Sequence, residues 1–210
     1  MSLVENKIFI DLDDTLLDTF RYFVKWFDRP EPYNSIDSII KLCNGGPITR
    51  EVTQLDMTHA ESWESLPLEF WDSIPLMPWA NDLISLCERL AGKENVYILS
   101  SQIPTEACVS GKTYSVNSHF PSYRNRLILS RNKQIIVDKH SLLIDDYTGH
   151  LLKFVQANKI KNFFLFPSLC NVLHDTAKSM LRINGHFSLD PTHSILKLIE
   201  DRFIQLQDKQ

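Results

Sequence analysis

Five short runs of nearly unbroken apolar residues constrain this chain more than any other feature. They are Lys7 to Asp11, Asn95 to Leu99, Leu127 to Leu129, Leu142 to Ile144 and Asn162 to Phe166. Each has strand length, and none alternates strictly between apolar and polar as a sheet with one wet face does. Strands apolar on both sides belong to a parallel sheet covered by helices on both faces. The segments between them supply helices. Leu83, Ile84, Cys87 and Leu90 share one face of a helix over Trp79 to Leu90, and Gly149 to Asn158 fits another. A last helix, His193 to Leu206, carries Ile195, Ile199, Phe203 and Leu206 on one stripe. The expected fold is α/β, a doubly wound, Rossmann-like parallel sheet of about five strands.

The first strand is separated from the second by a long insertion. Six of the ten prolines fall between residues 30 and 78, with the pair Gly45-Gly46 among them. Proline interrupts helices and central strands alike, so long regular elements are not expected there. A chain of 210 residues suits one domain with such an insertion. Its 43% hydrophobic and 23% charged residues are those of an ordinary globular protein. A net charge of −4 argues against a broad surface for a nucleic-acid polymer, which works by neutralising phosphates with Lys and Arg. No apolar run approaches the length of a membrane span, and the N-terminus lacks a secretory pattern. A cytoplasmic protein with no membrane partner is the expectation. Cys43, Cys87, Cys108 and Cys170 form no C-x-x-C pair and read as reduced thiols.

Two strands run straight into clustered acids: Ile8-Phe9-Ile10-Asp11-Leu12-Asp13-Asp14-Thr15 and Leu142-Leu143-Ile144-Asp145-Asp146. In such sheets sites form at the carboxyl ends of strands, where strand order reverses. Like carboxylates brought together force one pKa up or require a cation. Magnesium is the natural one, taking one or two carboxylates and leaving room for water and phosphate oxygens. A lone Asp at a strand end is usually a turn or cap residue. Two such clusters together point to function.

Asp11-Leu12-Asp13-Asp14-Thr15 resembles the D-x-D-x-T signature of the haloacid dehalogenase-like phosphohydrolase superfamily. Three further motifs of that superfamily follow in order: Val96-Tyr97-Ile98-Leu99-Ser100 resembles the second, Lys133 stands at the third, and Asp145-Asp146 resembles the fourth. The resemblance implies that Asp11 attacks phosphorus to form an aspartyl phosphate. Asp13 then serves as general acid and base. Ser100, Ser101 and Lys133 hold phosphoryl oxygens. Asp11, Asp145 and the backbone carbonyl of Asp13 bind Mg2+, with Asp146 a ligand through water or a partner orienting Lys133. Asp13 speaks against the dehalogenase branch, which needs no acid there.

By the same resemblance, residues 18–78 form a small helical cap on a core domain made of 1–17 and 79–210. Such a cap encloses small substrates and excludes polymers. A narrower likeness is to the 5′(3′)-deoxyribonucleotidase family. It rests on Leu99-Ser100-Ser101, on Leu129-Ser130-Arg131-Asn132-Lys133, on Phe163 to Pro167, and on Trp63-Glu64-Ser65 with Phe70-Trp71 and Pro75-Leu76. The chain departs from that family at Asp14-Thr15, where Gly-Val is frequent, and at Tyr147, where Arg is frequent. The implied substrate is a nucleoside monophosphate, its phosphate held by Arg131 and Lys133 and its base facing Trp63 and Trp71. Packing of the cap's own core explains those aromatics equally well. The alternatives are a phosphatase for a sugar phosphate or phosphoserine, and a binding protein without turnover. A homodimer stays open.

Other residues read as structural. Asp14 belongs to the turn after the strand, and Asp18 reads as N-cap of a helix through Phe27. Phe20, Phe23, Val24 and Phe27 have core spacing. Cys170 and His174, four apart, lack the companions of a metal site.

Overall fold

The computed structural model describes residues 6–27, 59–168, 171 and 193–207. Cys43, Gly45, Gly46, Cys170 and His174 lie outside the described residues. Five parallel strands form one sheet: β1 (Lys7–Ile10), β2 (Val96–Ser100), β3 (Leu127–Leu129), β4 (Ser141–Asp145) and β5 (Phe163–Leu165), in the order β3-β2-β1-β4-β5. β1 is central, with Phe9 opposite Tyr97 on one side and Leu143 on the other. The chain winds outward through β2 and β3, then crosses back to lay β4 beside β1. The reversal of strand order therefore falls between β1 and β4, the two strands that end in acids.

Alternation along the strands builds two cores. Ile8, Ile10, Val96, Ile98, Leu142 and Ile144 bury one face. Against it pack α4 (Ala80–Ala91), through Leu83, Ile84 and Cys87, and α8 (His193–Gln207), through Ile195, Ile199 and Phe203. Phe9, Leu99, Leu143, Phe163 and Leu165 bury the other face under α7 (Thr148–Gln156), which contributes Leu151 and Phe154. Both faces are dry, as the apolar runs require. Cys87 and Cys108 are buried free thiols. Among the described residues no helix is long and apolar enough to cross a membrane.

The loop after β1 turns sharply. Leu16 and Leu17 both donate to the Leu12 carbonyl, at 2.9 and 2.8 Å, and Asp14 takes the left-handed φ of 50°. A non-glycine residue is held there by a local bond, because Asp14 Oδ1 accepts from the Phe20 amide at 2.9 Å. That bond caps α1 (Thr19–Trp26). Asp18 occupies the N-cap position yet makes no side-chain cap bond, and pairs instead with Arg21 at 3.4 Å. Asp18 thus holds the expected cap position, while the side-chain bond to the first turn comes from Asp14. Two backbone bonds, Asp18 N to Pro75 O (2.9 Å) and Met77 N to Leu16 O (2.8 Å), bring residues 75–77 back beside 16–18. The chain leaves β1 and returns to the core at one place.

Within 59–78 the helices are short, as the prolines demand: α2 (His59–Glu64) and α3 (Leu68–Asp72). Their aromatics interlock with α1. Trp63 stacks on Phe23 at 4.2 Å, and Phe70 meets Trp71 edge-on at 5.1 Å.

One long helix has no counterpart in the sequence reading. α5 (Glu106–His119) is capped by Thr105 Oγ1, which accepts from Cys108 N at 3.2 Å. Its buried positions, Cys108, Gly111, Lys112, Ser115 and Val116, keep helical spacing but are small or polar, so hydrophobic periodicity does not reveal them. Gly111 has a packing reason. A Cβ there would sit 2.2 Å from the Trp71 Cβ, so only glycine lets α3 lie against α5.

Candidate active site

The end of β1 delivers Asp11, and the end of β4 delivers Asp145 and Asp146. All three are buried, and one carboxylate oxygen from each falls within 4.8 Å of those of the other two. Between the strand ends stands Lys133, the first residue of the short helix α6 (Lys133–Ile136) and fully buried. Its Nζ lies 2.6 Å from Asp11 Oδ1 and donates to Asp145 Oδ2 at 2.7 Å. Burial opposes the lysine's charge, but the two carboxylates outweigh it and hold the ammonium above its ordinary range.

Asp145 has both oxygens engaged. Oδ1 accepts from the Tyr147 amide at 2.9 Å, and Oδ2 meets both Lys133 and His150 Nδ1, the latter at 2.9 Å. Burial pushes its pKa up, yet Lys133 and His150 together hold it below the usual carboxylate range. Asp11 is pushed up to about 6 by burial, which Lys133 only partly offsets. Asp146 is raised well above its ordinary value by burial and by Asp14 and Asp11 nearby. Ser168 donates a hydrogen bond to it, and no lysine is paired with it among the described residues. The uncompensated charge of the group therefore sits on Asp11 and Asp146. Hard oxygen donors with excess negative charge fit a divalent cation such as magnesium.

These shifts make a pH prediction for the metal-free chain. Asp11 and Asp146 bind protons more tightly folded than unfolded, so stability falls as pH rises from the ordinary value near 3.8 towards about 6. Asp145 has the opposite shift, and its contribution is lost only as pH falls below the ordinary value. In a chelator, Tm should decline across the interval from 3.8 to 6. Added magnesium, binding the deprotonated carboxylates, should flatten the decline. A Tm that climbs with pH in the chelator contradicts this account of the cluster.

The three-carboxylate group does not include Asp13. Its side chain is 26% exposed and turns to a different set of partners. Thr19 Oγ1 donates to Oδ1 at 3.1 Å, and Ser100 Oγ donates to Oδ2 at the same distance. Lys112 of α5 also donates to Oδ2. Ser100 is fully buried, whereas Ser101 faces a cavity, its Oγ 3.1 Å from His150 Nε2. His150 thus stands between Asp145 Oδ2 at Nδ1 and the Ser101 hydroxyl at Nε2.

The cavity has a volume of about 540 Å³ and opens over these groups. Its lining includes the polar groups of Asp11, Asp13, Asp146 and Lys112 and the rings of Phe20, Trp63 and Trp71. Arg131 lies exposed on its wall, and its side chain makes no bond to the described residues. Phe70 is fully buried and absent from the lining. The cap aromatics thus divide: Phe70 packs, Trp71 reaches the cavity while almost wholly buried, and Trp63 is partly exposed to it.

Of the residues singled out from sequence, Asp11, Asp13, Ser100, Ser101, Arg131, Lys133, Asp145 and Asp146 converge on one end of the sheet. Lys112 and His150 were missed. Neither belongs to a strand-end run, and Lys112 lies on the helix that periodicity did not reveal.

No family model matches the chain, and no curated protein does. Among solved structures it is similar to a mutant of CbbY from Rhodobacter sphaeroides in complex with xylulose-1,5-bisphosphate. The likeness covers 79% of this chain and 87% of that one, at 11% identity and a TM-score of 0.42.

Proposed function

We propose that this chain is a magnesium-dependent phosphomonoester hydrolase of the haloacid dehalogenase-like type, acting through an aspartyl phosphate on Asp11. The observation that carries the reading is the arrangement of Asp11. It stands at the end of the central strand, on the cavity wall, bridged by Lys133 to Asp145 and flanked by Asp13 and Asp146. A buried carboxylate beside an ammonium can attack phosphorus without being repelled from it.

An Asp11 oxygen forms a bond to phosphorus while the bond to the leaving oxygen breaks, and Asp13 gives that oxygen a proton. Water then attacks the aspartyl phosphate, passes a proton to Asp13, and releases phosphate and the free Asp11 carboxylate. Lys133 and Ser101 offer donors to the phosphoryl oxygens. Asp11, Asp146 and the Asp13 carbonyl would hold magnesium, which neutralises charge between nucleophile and phosphoryl group when bound. Asp145 can join them, because its Oδ1 accepts only the Tyr147 amide and keeps a lone pair for the cation.

In this reading residues 18–78, of which 28–58 lie outside the described residues, are the cap of a cytoplasmic α/β core. The favoured substrate is a nucleoside monophosphate, preferentially deoxy, with its base against Trp63. Support for the nucleotide comes from the aromatic lining of the cavity and from Arg131 on its wall. Phosphate release from dUMP, dTMP, sugar phosphates, phosphoserine and p-nitrophenyl phosphate, with and without magnesium, tests the reading in two tiers. Deoxynucleotides hydrolysed no better than sugar phosphates would end the nucleotidase assignment alone. No magnesium-dependent release from any of them would end the phosphatase assignment.

A further inference from the structure

A lysine on the buried face of α5 needs an explanation that packing does not give. Lys112 is 3% exposed and occupies a core-facing position that Leu or Met would fill without a buried charge. All three of its ammonium protons have acceptors: Asp13 Oδ2, Ser100 Oγ at 3.0 Å and the Ser101 carbonyl at 2.5 Å. Its Nζ also lies 5.4 Å from the centre of the Trp71 ring. The neighbouring residue is Gly111, whose missing side chain admits Trp71 to this spot. So one turn of α5 grips the Asp13 carboxylate on one side and the aromatic wall of the cavity on the other.

The site therefore carries two lysines with separate duties. Lys133 serves the Asp11 side and Lys112 the Asp13 side, and no described carboxylate is paired with both. We propose that Lys112 is a positioning residue for Asp13. Together with Ser100 it fixes the Asp13 carboxylate against the end of β2, and so sets the direction from which the leaving oxygen receives its proton. This inference rests on the phosphatase reading above and deepens it. Truncating Lys112 leaves the Asp13 carboxylate held at Oδ1 by Thr19 and at Oδ2 by Ser100 alone, and so aimed less firmly.

Asp13 matters most where the leaving oxygen is a poor leaving group, and that gives the test a signature that mere loss of structure lacks. The parent, Lys112→Met and Lys112→Arg are assayed with magnesium on an alkyl phosphate and on p-nitrophenyl phosphate, with Tm recorded for each. For Lys112→Met, kcat should drop about 100-fold on the alkyl ester and by less than about threefold on the nitrophenyl ester, with KM changed less than about threefold on both. Lys112→Arg, which restores charge and donors, should recover most of the alkyl-ester rate. Equal losses on the two esters, or a loss confined to KM, would overturn the proposal. The first outcome makes Lys112 structural, and the second makes it a ligand of the substrate. If Lys112→Met does not fold, Lys112→Gln carries the same comparison, since its amide can still bond the Ser101 carbonyl without the charge. The alkyl phosphate is the panel substrate that the parent hydrolyses best, and a parent that releases phosphate from no substrate of that panel removes the phosphatase reading itself, and the inference with it. A parent active on both esters whose Lys112 variants show no leaving-group dependence removes only the inference.

Discussion

Replacing Asp11 by Asn should cut kcat by at least about 10⁴-fold while leaving the Tm close to that of the parent. The amide keeps the shape of the carboxylate but is a far weaker nucleophile, so no aspartyl phosphate forms. The fold has reason to tolerate the change. In the metal-free chain Asp11 is already pushed up to about 6 by burial, so a neutral side chain at this place relieves a burial cost and does not add one. Lys133 keeps its second partner, Asp145 Oδ2 at 2.7 Å. Steady-state phosphate release and a thermal melt check both halves. Turnover within about tenfold of the parent would remove Asp11 as nucleophile. Full loss of activity with full loss of the cooperative melt would show instead that the residue is needed for folding.

Replacing Lys133 by Met should have the largest effect on stability, about 3–5 kcal/mol, and should abolish turnover as well. Lys133 is fully buried and lies between two buried carboxylates, so its removal strands negative charge in the core. The pH dependence identifies the cause. Without the lysine, the folded-state pKa values of Asp11 and Asp145 rise, and the folded chain takes up protons that the unfolded chain does not hold. The deficit relative to the parent should therefore be greatest near neutral pH and shrink as pH falls towards the ordinary carboxylate range. Magnesium should narrow it too, since the cation supplies part of the missing charge. A deficit of the same size at all pH values would mean that packing of the lysine stem, and not its charge, was lost.

The legible part of the fold came from its strands. β1, β2, β3, β4 and β5 all fall on the runs expected, with ends shifted by at most one residue, because the inner strands and β5 are buried on both faces and the half-buried edge strand β3 is apolar as well. α4 and α8 followed from one-sided apolar stripes, and α7 from a segment between two strands that fits a helix. α5 did not, since its inner face is built of Cys, Gly, Lys and Ser and bears on a polar site as well as on a core. The N-terminal cap of α1 went to Asp18 on position alone, where the sharp turn at Asp14 instead swings a carboxylate over the Phe20 amide.

The candidate site divides the same way. Asp11, Asp13, Asp145 and Asp146 were visible because a charge at the end of an apolar strand is costly and local, written into consecutive letters. What each carboxylate touches was not visible. Asp145 gives its oxygens to Lys133 and His150, and Asp146 stands in the cavity, although the two are neighbours in sequence. Successive residues at a strand end point opposite ways, so which one meets the lysine depends on the register of β4 against β1 and on where α6 begins. Lys112 and His150 came to the site only through packing of whole helices on the sheet. By itself the sequence determined a doubly covered parallel sheet and the acids that end its two central strands, because burial acts on each residue where it stands. Only the tertiary structure decided which cation serves which acid, because a charge pairs with its nearest neighbour in space.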